Sequence, residues 1–352
     1  MDSSSNSSTM ASLPEEEEEQ QHTKQPNIPS AFSSVPVRPA VQTSSQKYSP
    51  LDWLGYFDQE DDIHIPDSND VFHIYKAGSD GPAMDLRGHG KSSTENELDL
   101  SIETLCNDAI AVLKTMYGDS PPAIVLVGHS MGGSVAVHVA AKKELSRLCG
   151  LIVVDVVEGT AMASLMHMQK ILSGRMQYFS TIEKAVEWNV KGGSLRNIES
   201  ARVSIPSTLK FDDSKKCYIH RARLEETEQY WRGWYEGLSE RFLSCPTPKL
   251  LLLAGTDRLD RTLTIGQMQG KFQMVVVRHT GHAIQEDVPE EFATLVLNFI
   301  SHNRIGPHGV ERSCNPKSDG IKLKDDKPHH GDSLFFFLFG FSLASQQICS
   351  NQ

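Results

Sequence analysis

The apolar positions of this chain fall into two periods. Residues 123–127 (AIVLV), 151–154 (LIVV), 249–254 (KLLLLA) and 274–277 (MVVV) are short, nearly continuous apolar runs, the pattern of strands buried on both faces of a parallel sheet. Between them the spacing lengthens. Residues 97–116 place Ile102, Leu105, Ala109, Val112, Leu113 and Met116 at helical intervals, and Gly118 with Pro121 and Pro122 ends that helix. Residues 134–141 (SVAVHVAA) predict a helix of small residues lying close on a sheet, and 289–300 predict an amphipathic closing helix with Pro289 in its first turn. An early strand is expected at 72–75, followed by a turn at 78–82 and a loop at 85–90 (DLRGHG). Strand and helix alternate throughout, which predicts an α/β fold with a mostly parallel sheet.

The alternation is interrupted between the runs at 151–154 and 249–254. A long, mainly helical excursion at about 160–245 carries Met162, Met166, Met168 and Met176, then Tyr230, Trp231, Trp234 and Tyr235. An insertion at this place would sit over the C-terminal edge of the sheet as a cap that shapes a substrate site. The same methionines and aromatics would equally serve as the cap's own core. The ends of the chain read differently. Residues 1–47 are rich in Ser, Gln, Glu and Pro, too poor in large apolar groups to offset ordering entropy, and are expected to be a disordered tail. Residues 48–310 form the folded domain, and 311–352 an irregular C-terminal tail with a Phe-rich stretch, Phe335-Phe336-Phe337.

Composition narrows the function classes. The net charge of −11 disfavours nucleic acid as a partner, although five of the acids are the run at 15–19 in the tail. Six cysteines without paired or zinc-type spacing predict neither a disulfide framework nor a metal site, and reduced thiols in the cytoplasm or nucleus. The chain opens polar and then acidic, unlike a secretory signal. Its one membrane-like stretch, 334–344, is eleven residues long against the ~20 a spanning helix needs, so no membrane partner is expected.

The chemistry centres on Gly128-His129-Ser130-Met131-Gly132, placed directly between a buried strand and a small-residue helix. That is the form of a nucleophile elbow, in which a serine sits on a tight strand-to-helix turn with flanking glycines where a side chain would clash. A serine hydroxyl needs a histidine base and a carboxylate to fix the imidazole tautomer, in the chain order Ser, acid, His. His282 is the favoured base, lying in a loop after the last strand and before the closing helix. His279 is nearer the strand, and His129 should point elsewhere. Two acids compete: Asp155 and Asp257 each end a strand at the C-terminal edge of the sheet.

A resemblance decides between them. GHSMGG at 128–133, DVVEGTAM at 155–162, GHAIQEDVP at 281–289, DLRGHGKS at 85–92 and the pair Trp231 and Trp234 together resemble the protein phosphatase methylesterase family over about residues 48–310. The resemblance implies an α/β-hydrolase fold with a helical cap, and Ser130, Asp155 and His282 as a catalytic triad. It implies the Met131 N–H as an oxyanion donor and no cofactor or metal. The reaction implied is demethylation of the C-terminal leucine methyl ester of the protein phosphatase 2A catalytic subunit, which becomes the expected partner.

The chain also departs from that family. The fold expects, between the turn at 78–82 and Asp85, a strand, a His-Gly-Gly-Gly type oxyanion loop, a helix and most of another strand, about 25–40 residues in all. None is present in the sequence. One central strand and its helix are therefore expected to be missing, leaving the backbone of 123–127 exposed unless a neighbour moves in. Impaired turnover follows, with a phosphatase-binding protein of low activity or a general small-ester hydrolase as the alternatives.

Overall fold

The computed structural model describes residues 44–77, 81–305 and 334–339. A short helix α1 (Ser44–Lys47) leads into an antiparallel pair, β1 (Gln59–His64) and β2 (Val71–Ala77), and then β3 (Gly81–Met84). Helix α2 (Ile102–Tyr117) precedes β4 (Ala123–His129), α3 (Met131–Lys142) and β5 (Leu148–Val154). An excursion then runs through α4 (Glu158–Gly174), β6 (Tyr178–Phe179), α5 (Ile182–Lys191), α6 (Ile198–Ser207), β7 (Leu209–Asp212), β8 (Cys217–His220), α7 (Glu228–Tyr235) and α8 (Leu238–Ser244). The chain returns with β9 (Lys249–Ala254), α9 (Arg261–Met268), β10 (Gln273–Val277), α10 (Ile284–Asp287) and α11 (Pro289–His302). A last strand is β11 (Leu334–Phe339).

The main sheet has the order β1-β2-β3-β11-β4-β5-β9-β10, parallel from β3 onward. Period-two alternation explains why its central strands are apolar at every position. Ile124 and Leu126 of β4 join one buried cluster with residues of α2 and α3, while Val125 and Val127 join another with Val296 and Phe299 of α11. Helices therefore cover both faces. Helix α2 starts at Ile102, the first of its helically spaced apolar residues, where Ser101 caps it by accepting from the Thr104 N–H at 3.2 Å, and it ends at Gly118 with φ 57°.

The structure refines the sequence reading at several places. The excursion is mainly helical, as expected, and β6, β8 and β7 add an antiparallel three-stranded sheet of their own. Trp231 and Trp234 belong to the main core: the Trp234 indole donates to the Leu100 carbonyl at 2.6 Å and that of Trp231 to Thr227 Oγ1 at 3.1 Å, while Met166 is exposed. The expectation of an irregular tail at 311–352 fails at β11, where an uncharged, β-prone run pairs with β3 and β4. Helix α1 likewise falls inside the stretch expected to be disordered. The rest of 1–43, 306–333 and 340–352, and residues 78–80 of the expected turn, lie outside the described residues.

Candidate active site

The elbow is built by backbone sterics. Ser130 follows β4 and precedes α3 with φ 52° and ψ −120°, a conformation costly for a side-chain-bearing residue. The turn closes so tightly that a Cβ on Gly128 would lie 2.2 Å from the Gly132 carbonyl oxygen. One on Gly133 would meet Val156 Cγ1 at 2.8 Å and the Gly128 carbonyl oxygen at 2.9 Å. The Ser130 N–H is fixed by the Val154 carbonyl at 2.9 Å, tying the turn to the end of β5. Ser130 and Met131 are both buried, at the positive end of a twelve-residue helix.

One residue beyond β5, Asp155 also has a positive φ, 52°. Its N–H donates to the Leu252 carbonyl at 2.8 Å, and its Oδ1 accepts the Ala254 N–H at 2.8 Å, so two backbone bonds to β9 orient the carboxylate. Its Oδ2 accepts from His282 Nδ1 at 2.6 Å. With Nδ1 so engaged, the neutral imidazole presents Nε2 as an acceptor, and that atom is buried without a hydrogen-bond partner among the described residues. The two competing sites fall elsewhere. Asp257 is exposed on the loop after β9, and His279 is exposed with φ 62°.

His129 was not expected to contribute, yet it packs its ring 4.5 Å from that of His282. Its Nε2 donates to the His282 carbonyl oxygen at 2.9 Å. Burial, reinforced by the nearby His282, holds His129 well below the ordinary histidine range, so it stays neutral while serving as this donor. The residue before the serine thus positions the loop that carries the histidine.

A second support was also missed. Asp287 Oδ2 accepts the Gly281 N–H at 2.6 Å, while its Oδ1 accepts the Arg196 N–H at 2.7 Å, so a single carboxylate joins the histidine loop to the segment before α6. Beside it Glu286 is fully buried. Its Oε2 accepts from Ser204 Oγ at 2.6 Å, its carbonyl oxygen accepts from Ser200 Oγ at 2.7 Å, and burial raises its pKa to about 7. The available signal was two adjacent acids within five residues of the histidine in an otherwise apolar stretch. Among the described residues no group of histidines, cysteines and acids could hold a metal ion, and no helix is long and apolar enough to cross a membrane.

Known proteins resemble this arrangement at three levels. The Alpha/beta hydrolase family matches residues 52–295. The chain is 41% identical over 332 residues to protein phosphatase methylesterase 1 of Bos taurus, covering 73% of this chain and 87% of that protein. It is 41% identical over 329 residues to the probable protein phosphatase methylesterase 1 of Caenorhabditis elegans, covering 84% and 89%. The crystal structure of E-2-(acetamidomethylene)succinate hydrolase superposes with a TM-score of 0.59 at 18% identity, over 69% of this chain and 99% of that one, a likeness of fold alone. The chain thus belongs to the protein phosphatase methylesterase family of α/β hydrolases, and is a serine carboxylic-ester hydrolase.

Proposed function

We propose that the chain removes the methyl group from the C-terminal leucine methyl ester of the protein phosphatase 2A catalytic subunit, with Ser130 as nucleophile, His282 as base and Asp155 as its orienting acid. The observation that carries this reading is the 2.6 Å bond from His282 Nδ1 to Asp155 beside a strained serine elbow. His282 Nε2 takes the proton of Ser130 as the oxygen attacks the ester carbonyl. Asp155 stabilises the imidazolium that forms, and the Met131 N–H at the start of α3 donates to the oxyanion. The imidazolium gives its proton to the departing methoxide, so methanol leaves. Water, deprotonated by His282, then releases the free carboxylate and regenerates Ser130. No step calls for a metal or cofactor. The region at 48–310, described over 48–77 and 81–305, supplies the catalytic domain, with residues 160–245 as its cap.

We further infer that a central strand, its oxyanion loop and its helix are missing. Between β2 and β4 the described residues supply β3, the loop from Asp85 and α2. The alignment with the Caenorhabditis elegans relative points the same way. It extends over 329 residues but takes up 84% of this 352-residue chain, about 296, so about 33 positions of that alignment face no residue here, and the bovine alignment, 332 residues on 73% of the chain or about 257, leaves about 75. Loss of one oxyanion donor lowers turnover by about 10²–10³. The test is fluorophosphonate labelling of the purified chain beside S130A. Labelling of the serine form alone supports an activated site, and equal or absent labelling of both forms rejects it. Turnover matching that of the full-length relatives would reject the missing donor.

A further inference from the structure

The sheet holds one strand from an unexpected part of the chain. β11 lies between β3 and β4 and runs parallel to β4 over six residues, from Leu334 opposite Ala123 to Phe339 opposite Gly128. Against β3 it pairs only at Leu338 with Ala83 and Phe339 with Met84. In the sheet order β3 and β4 meet only through it. Its far end stands level with Gly128, two residues before Ser130.

We propose that the gap between β3 and β4 is a strand-acceptor slot, and that the chain's own Leu334–Phe339 is a separable donor strand that fills it in cis and thereby orders the strand leading to Ser130. The chemistry of the slot defines what fits. Its walls are the backbone edges of β3 and β4, whose residues Ala83, Met84, Ile124, Val125, Leu126 and Val127 are all buried. An occupant must be extended, free of proline and charge, and able to pair on both edges at a position covered by helices on both faces. LFFFLF meets each condition. Left outside a sheet, a run of this composition is a self-associating strand, so insertion also sequesters it.

Connectivity makes the strand separable. It arrives after the closing helix α11, through 28 residues at 306–333. Twenty-eight residues can span up to about 90 Å, long enough for the strand to leave the slot without moving α11. Strand β4, by contrast, is fixed on its other side by β5 from Ile124 to His129. The slot can therefore open on one side without dismantling the other. None of this depends on ester chemistry.

Hydrogen exchange on the full chain reads the slot directly. Successive residues of a strand direct their N–H groups to opposite neighbours, so the paired change F336P/F337P in the full chain removes a donor toward β4 whichever residue supplies it. The β4 amides that face β11 should exchange at least ~100-fold faster in this variant than in the unaltered chain, while those facing β5 change little. Should the variant fail to fold, a full chain with a protease site placed within 306–333 is cleaved after folding. The released C-terminal fragment should stay bound, keep β4 protected, and exchange with an excess of a fluorescent, lysine-tagged peptide of sequence SLFFFLFG. Unchanged β4 protection in the proline variant, or departure of the cleaved fragment without loss of protection, would overturn the proposal. So would a dimer whose β4 protection vanishes on dilution to monomer, since the occupant would then be a second copy. Esterase failure with β4 still protected by the strand would reject the hydrolytic reading and leave the slot standing.

Discussion

Replacing Asp155 by Asn tests the hydrogen-bond logic of the site with almost no change in shape. The carboxylate accepts two bonds, from the Ala254 N–H at Oδ1 and from His282 Nδ1 at Oδ2. An asparagine has one acceptor for these two donors. If its oxygen stays on the Ala254 N–H, its amide NH₂ faces Nδ1, which must then become an acceptor. The imidazole proton moves to Nε2, the atom that takes the Ser130 proton in the proposed mechanism. If the amide flips, NH₂ opposes the Ala254 N–H and a part-buried donor is left unpaired, at about 1–3 kcal/mol. The wrong tautomer costs about 10⁴ in kcat, equivalent to about 5.5 kcal/mol of transition-state stabilisation. The assay is steady-state hydrolysis of a leucine methyl ester peptide and of an aryl ester, with D257N in parallel. D155N should lose about 10⁴ in kcat with KM nearly unchanged, and D257N should stay within ~3-fold. A D155N loss below tenfold, or an equal loss in D257N, would rule out Asp155 as the residue that orients His282.

Other outcomes follow from the supports of the site. Burial raises Glu286 from 4.5 to about 7, so its neutral form favours the fold. That contribution is complete below pH 4.5 and lost as pH rises to about 7, roughly 3 kcal/mol in all; urea denaturation across this range should show E286Q free of the loss, and parallel curves would contradict it. Asp287→Asn leaves one acceptor for the backbone donors of Gly281 and Arg196, and should cost about 1–3 kcal/mol by urea denaturation while lowering kcat more than it alters KM. Gly128→Ala should destabilise by ~3 kcal/mol or more, since its Cβ meets backbone, whereas Gly174→Ala, with open space around it at the end of α4, should be neutral or stabilising in the same melt.

What the sequence revealed depended on the range of the forces involved. Strands β4, β5 and β9 were legible because burial on both faces leaves a continuous apolar run that no exposed segment needs. β1 was not, because QEDDIH is an edge strand held by pairs such as His73 with Asp62 at 2.7 Å and Lys76 with Asp61 at 3.0 Å. Its polarity reads as loop. Ser130 was legible from local sterics, since the glycine requirement is written within five residues. The choice between Asp155 and Asp257 was not, because both end parallel strands and only the sheet order places β5 beside the elbow strand. The same limit hid β11: its hydrophobicity was plain, but its partner strand begins 211 positions earlier in the chain. His129 misled for a further reason, since a side chain turned away from the serine can still reach the loop of the base.

That Ser130 performs methyl ester hydrolysis in this chain is tested most directly by methanol release from the methylated phosphatase 2A catalytic subunit. The purified 352-residue chain and its S130A variant are compared, with the substrate C-terminus read by mass spectrometry. One methanol per free leucine carboxylate is expected, at about 10⁻²–10⁻³ of the rate of a family member with an intact oxyanion loop, and nothing above background from S130A. Equal demethylation by both forms, or none by either, would contradict it.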